Sequence, residues 1–94
     1  MEKYVIVRGE NSGVFAGNLK ERNGREVTLT DTRRLWYWSG AASLNQLAND
    51  GVKYEKDCKF TQPVKEILIL DAIEIIPCTK SAEENIKEVY VWEI

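Results

Sequence analysis

The apolar positions of this chain fall into short runs, some contiguous and one cleanly alternating, broken by glycines and small polar clusters. Residues 3–8 (Lys-Tyr-Val-Ile-Val-Arg) are β-branched and aromatic and predict a strand. Gly9-Glu10-Asn11-Ser12-Gly13 predicts a turn, and residues 14–22 a second strand with Gly17 at a bend or bulge. Asn23-Gly24 is a strong hairpin signal, because both residues tolerate positive φ. Val27 and Leu29 then face one way and Glu26, Thr28 and Thr30 the other, the pattern of a half-buried antiparallel strand. Asp31-Thr32 turns or kinks the chain, and residues 33–38 predict a further extended segment.

The rhythm then changes. Ser39 is placed to cap a helix, Ala41, Leu44, Leu47 and Ala48 follow at helical spacing, and Gly51 is a stop, which predicts a helix over about 39–50. Residues 52–63 are polar and irregular, with Phe60 as an anchor to the core. Ile67, Leu68, Ile69 and Leu70 predict a buried strand, which Asp71-Ala72 breaks or bulges and Ile73, Ile75 and Ile76 continue. Ser81-Ala82-Glu83-Glu84 has the form of a capping box and opens a short helix near 81–87. Residues 89–94 predict a last strand. The expected fold class is α+β, mostly β: a small, strongly bent antiparallel sheet or an SH3/Sm-like barrel with one inserted helix, in a single domain 1–94.

Composition narrows the function more than the fold. The chain has 94 residues and a net charge of −2, so it is no general polyanion binder. The charge is uneven: residues 1–38 hold seven Lys/Arg against five Asp/Glu, while residues 39–94 hold six against ten. A local anion site fits this distribution and a long nucleic-acid track does not. There is no histidine, which removes the commonest general base and every Ser-His or Cys-His pairing, so no catalytic residue is assigned and a non-enzymatic protein is expected. Cys58 and Cys78 form no CxxC pair, so neither a metal site nor a cofactor is expected. No segment reads as a signal peptide or a membrane span, and the expected setting is the cytoplasm, with both thiols free.

The densest chemistry is the run Arg33-Arg34-Leu35-Trp36-Tyr37-Trp38-Ser39-Gly40-Ala41-Ala42-Ser43-Leu44. Arginine offers a fork of donors to phosphate or carboxylate, aromatic faces stack on bases, and a helix start presents unpaired N–H groups. In a strand, Arg34, Trp36 and Trp38 share one face and Leu35 and Tyr37 the other. A face with an arginine and two tryptophans suits a ligand site or an oligomer interface better than a closed core. The predicted ligand-binding set is Arg33 and Arg34 for phosphates, Trp36 or Trp38 for a base, and Ser39, Gly40 and Ser43 as hydrogen-bond donors. The same residues also fit a plainer reading, with solvated arginines, core tryptophans and a small-residue helix start.

Two resemblances extend this. Ser12-Gly13-Val14-Phe15-Ala16-Gly17-Asn18-Leu19 together with Asn23-Gly24-Arg25-Glu26-Val27-Thr28-Leu29-Thr30-Asp31 resembles the second and third strands of an Sm- or SH3-like barrel, which implies a ring or other oligomer. The run from Arg33 to Ala48, with Ile73-Glu74-Ile75-Ile76-Pro77-Cys78-Thr79, resembles a family of short phage and prophage proteins with no assigned activity. That resemblance implies an infected bacterial cytoplasm. By analogy with small phage anti-defence sponges, it implies a homo-oligomer that sequesters a nucleotide-type immune signal, a cyclic nucleotide or an ADP-ribose derivative. The alternatives are a protein-interaction module that inhibits a host protein and an Sm-like binder of single-stranded nucleic acid, the latter disfavoured by charge.

Overall fold

The computed structural model describes residues 3–94. Its elements are β1 (Lys3–Gly9), β2 (Val14–Asn23), β3 (Glu26–Tyr37), α1 (Leu44–Asp50), β4 (Lys59–Phe60), β5 (Val64–Ile69), β6 (Ala72–Pro77) and α2 (Lys80–Glu88), with a 3-10 turn at Glu55–Asp57. All strand pairings are antiparallel. β3 is the long central strand: its first half pairs with β5 and its end with β4 along one edge, and β2 lies along the other.

The connection between β5 and β6 sets the shape. These strands are consecutive, yet β5 pairs with β3 and β6 with β1, so they occupy opposite ends of the order β5-β3-β2-β1-β6. Four strand spacings in a flat sheet would separate those ends by about 19 Å. Only Leu70 and Asp71 join them, and three Cα steps span at most about 11 Å. The sheet must therefore curl. It does not close, because β5 and β6 do not pair with each other. Of the two architectures expected from sequence, this is the bent antiparallel sheet and not a barrel.

The curl gives the sheet two buried faces. Val5, Val7, Phe15, Val27, Leu29 and Ile69 fill the inside of the curl. Tyr4, Ile6, Ala16 and Leu35 face the other way and are covered by Leu47 and Ala48 of α1, Ile86 of α2, and Phe60. β1 is thus buried on both sides, which explains why Tyr4, Val5, Ile6 and Val7 form an unbroken apolar run. Where β2 crosses β3, Gly17 leaves no room for a side chain: a Cβ there would lie 2.6 Å from Cβ of Thr32. Thr32 is fully buried and its hydroxyl donates to the Ala16 carbonyl at 2.9 Å.

Several expectations need correction. The helix expected over 39–50 is α1, Leu44–Asp50, and its cap is Ser43, which accepts from the Gln46 N–H. Residues 39 and 40 cannot be helical, because their carbonyls accept from the N–H groups of Tyr54 and Lys53 and Gly40 sits at φ 94°. Thr79, not Ser81, caps α2, accepting from the Ala82 N–H. Residues 26–37 are one strand, with the kink absorbed by Asp31 at φ 46°. Leu68 and Leu70 point outward and are exposed, so the run 67–70 alternates and is not buried throughout. Residues 89–94 make only a parallel bridge, Val91 to Phe60, in place of a strand.

Arg33 ties these parts together. It is 3% exposed. Its Nε donates to the Thr61 carbonyl, Nη1 to those of Ile86 and Val89, and Nη2 to those of Phe60 and Tyr90, at 2.8–3.3 Å. A guanidinium has five N–H donors, and all five are used. Burial draws its pKa down from the ordinary value. Carbonyls at the end of α2, the negative pole of its dipole, help to stabilise the cation instead of a carboxylate. Lysine would keep the charge but presents three donors from a single point. Arg33→Lys is expected to lower stability by about 3 kcal/mol, read as a fall in Tm of more than about 10 °C in thermal unfolding.

Candidate functional site

The run from Arg33 to Trp38 is divided by the alternation of β3. Arg33 and Leu35 point into the layer beneath the helices. Arg34 and Trp36 point to the opposite face. Trp36 is 64% exposed. Trp38 lies just past the strand end and packs half-buried against the cluster under the helices.

Arg34 is the most unusual polar group of that face. Its guanidinium carbon lies 4.7 Å from the centre of the ring of Phe15, a buried member of the curled interior. Its Nε is buried and has no partner. Among the described residues it is the one arginine whose guanidinium makes no hydrogen bond. Arg8 is held by Glu74, Arg25 by Glu10, Arg22 by the Gly24 carbonyl and Arg33 by its five carbonyls. A buried donor without an acceptor is costly, by about 1–3 kcal/mol, and such groups tend to mark places where a ligand or ion completes the pairing.

Three hollows meet at this side chain. One, of about 370 Å³, runs between Asn11, Ser12 and Gly13 and the side chains of Arg34, Trp36 and Trp38. A second, of about 440 Å³, is bounded by Phe15 and the outward face of β5 up to Asp71. A third, of about 520 Å³, is bordered by Thr61, Gln62, Trp92 and Glu93.

The wall formed by the β1–β2 loop is fixed by Asp71. Its carboxylate accepts from the N–H groups of Asn11 at 2.7 Å and Ser12 at 3.0 Å, and from the Ser12 hydroxyl at 2.5 Å. The Ser12 hydroxyl and the Asn11 N–H hold the Asp71 carboxyl below the usual carboxylate range. The link that forces the sheet to curl therefore also shapes the rim of the cleft.

Sequence reasoning missed one participant. Trp92, in the C-terminal segment, lies beside Trp36 with ring centroids 6.3 Å apart and planes 14° from parallel. The Lys59 ammonium lies 5.4 Å from the centre of the Trp92 ring. Nothing in the local pattern near residue 92 indicates this, because the contact depends on how the last residues cross β4.

The remaining expected site residues do not converge here. Arg33 is inside the molecule with every donor committed, so it does not share an anion with Arg34. Ser39 lines a different hollow, with Tyr37, Cys58 and Tyr90. Gly40 is needed for backbone contact: a Cβ there would lie 2.6 Å from the Lys53 nitrogen. The Ser43 hydroxyl is occupied by the cap of α1, a helix of only seven residues. Of the expected set, Arg34, Trp36 and Trp38 border one cleft.

Among the described residues, no group of three or more His, Cys, Asp or Glu side chains could hold a metal ion, and no helix is long and apolar enough to cross a membrane. Both cysteines are free. Burial pushes the Cys58 thiol up, and that of Cys78 up to about 12.

A curled, open antiparallel sheet covered on one face by two short helices defines the class of domain. The profile of a family described as a domain of unknown function (DUF6948) matches residues 2–86, and the chain belongs to that family. No curated protein and no solved structure matches it.

The carboxylate and the thiols give two measurable outcomes. Asp71 has a depressed pKa when folded, so its contribution is present above the unfolded carboxylate value of about 3.9 and is lost as pH falls through the folded value. Comparing Tm from pH 7 to pH 3, Asp71→Asn should be less stable than the parent at pH 7, and the gap should narrow in acid. A gap that stays constant would show that the carboxylate charge is irrelevant. Near pH 7 both thiols should resist an aromatic disulfide reagent in the folded chain and react fully once denatured. Rapid labelling of the native protein would contradict the burial of these groups.

Proposed function

We propose that this chain is a non-catalytic binding protein, of phage origin and acting in the infected bacterial cytoplasm, that sequesters a nucleotide-type ligand in the cleft around Arg34. The observation that carries this reading is the buried, unpartnered Nε of Arg34 beside the exposed face of Trp36. A phosphate answers the first need and a base the second. The absence of histidine from the sequence fits retention of a ligand without turnover. Arg34 replaces the pair Arg33–Arg34 as the anion anchor, and the side chain of Asn11 replaces Ser39, Gly40 and Ser43 as polar neighbour, the Ser12 hydroxyl being held by Asp71. A cyclic nucleotide or an ADP-ribose derivative would be the signal withheld from a bacterial defence system.

A second reading has its own support. Trp36, Tyr37, Tyr54, Tyr90 and Trp92 are all exposed. Exposed tryptophan and tyrosine are typical anchors of protein interfaces, either with a host protein or with further copies of the chain.

Thermal-shift measurements against cyclic di- and trinucleotides, ADP-ribose derivatives and mononucleotides separate the two. A ligand that binds only the folded state raises Tm by mass action, by about 2.7 kcal/mol of added stability at a hundredfold excess over Kd. The expected result is a shift with one ligand class that is lost in Arg34→Ala, with the ligand-free Tm little changed. No shift across the panel, together with a stable complex with one host protein, would replace the nucleotide reading by the interface reading.

A further inference from the structure

If a nucleotide-type ligand occupies the Arg34 cleft, the position of Trp92 says where its ring would go. Aromatic pairs ordinarily have centroids about 4.5–7 Å apart. The Trp36–Trp92 pair lies toward the upper end of that range, at 6.3 Å, with nearly parallel planes. A flat ring held between two others needs about 7 Å, twice the stacking rise of about 3.4 Å. The two indoles thus already stack on one another, and a base enters between them only when one of them moves aside.

Of the two rings, Trp92 is the one carried by a segment outside the strands. Its segment is joined to the rest of the chain by the Val91 bridge, by the Trp92 N–H donating to the Phe60 carbonyl at 2.9 Å, by Arg33 donating to the Tyr90 carbonyl and by Gln62 donating to Glu93. Trp36 belongs to the central strand and is held firmly. One ring is carried by a strand and the other by a segment held through these few bonds.

The charges lie where a nucleotide needs them. Arg34 borders the hollow beside Trp36 and also the hollow beside Trp92. Same-face neighbours on a strand are about 7 Å apart, within the reach of a ribose carrying a phosphate. Lys59, beside the Trp92 ring, offers a second cation.

We infer that Trp36 and Trp92 form a two-sided clamp for the base of a nucleotide whose phosphate is held by Arg34. The clamp rests on the reading of the Arg34 cleft as a nucleotide-type site. It favours purines, whose two fused rings overlap both indoles more fully. Base stacking on an aromatic residue is sequence-tolerant, so the phosphate contact, and not base-edge recognition, provides the remaining selectivity.

The test is titration of the full chain with AMP, GMP, a cyclic purine dinucleotide, ADP-ribose and inorganic phosphate, followed by calorimetry and tryptophan emission. The parent is expected to bind at least one purine probe with quenched emission. Trp92→Ala should weaken that binding by about tenfold or more and reduce the quench. Trp92→Phe should recover most of the affinity, and both variants should keep Tm within about 4 °C of the parent. If Trp92→Ala binds like the parent while Arg34→Ala does not bind, the clamp is wrong and the Arg34 site stands. If inorganic phosphate binds as tightly as the purine probe, the ring contributes nothing and the clamp is again wrong. If the parent binds no probe, the site reading fails and the clamp fails with it.

Discussion

A cation buried among five carbonyl oxygens holds this molecule in register. Arg33 reaches from the central strand to β4, to the end of α2 and to the segment beyond it, and so joins three parts at one point. β4 has only two residues and the C-terminal segment only one bridge. Strands that short contribute few ladder bonds of their own. The guanidinium acts as a common acceptor-seeking hub, and its stacking on Phe60, 5.5 Å from the ring centre, adds an apolar contact to the polar ones.

The same residue decides what the opposite face presents. A strand that slipped by one position would exchange its inner and outer side chains. With Arg33 locked inward, Arg34 and Trp36 are compelled outward, next to the β1–β2 loop and the C-terminal segment. The register shifts between β2 and β3 and the left-handed Asp31 allow β3 to serve β5 and β4 in turn along one edge. The candidate site is thus a by-product of how one strand is pinned, which is why its residues come from three stretches far apart in sequence.

Much of the fold was legible because it follows from local rules. A β-branched and aromatic run located β1, alternation located the first part of β3, Asn23-Gly24 marked the hairpin, and glycine at 51 marked the end of α1, with only Gly24 of the hairpin pair using positive φ. Phe60 anchors its loop as its isolation among polar residues suggested. What was not legible depends on distant partners. Ser39 reads as the cap of α1 until the N–H groups of Lys53 and Tyr54 are seen to engage the carbonyls of residues 40 and 39. Leu68 and Leu70 look like core because only the pairing of β5 with β3 shows which side is covered. Within the site, alternation grouped Arg34 with Trp36 correctly. It could not show that Arg33 was fully engaged, nor that Trp92 would arrive from the far end of the chain.

The pairing of β1 with β6 has a temporal side. β1 is an inner strand buried on both faces, yet one of its two neighbours comes from near the other end of the chain. Contacts of such long sequence separation form late and slowly. As the chain leaves the ribosome, β1, β2 and β3 can assemble as a meander while one edge of β1 is still open and apolar. During that interval the nascent protein carries an unprotected strand edge, so the wait for residues 72–77 is a window in which it is open to edge-to-edge pairing with other chains.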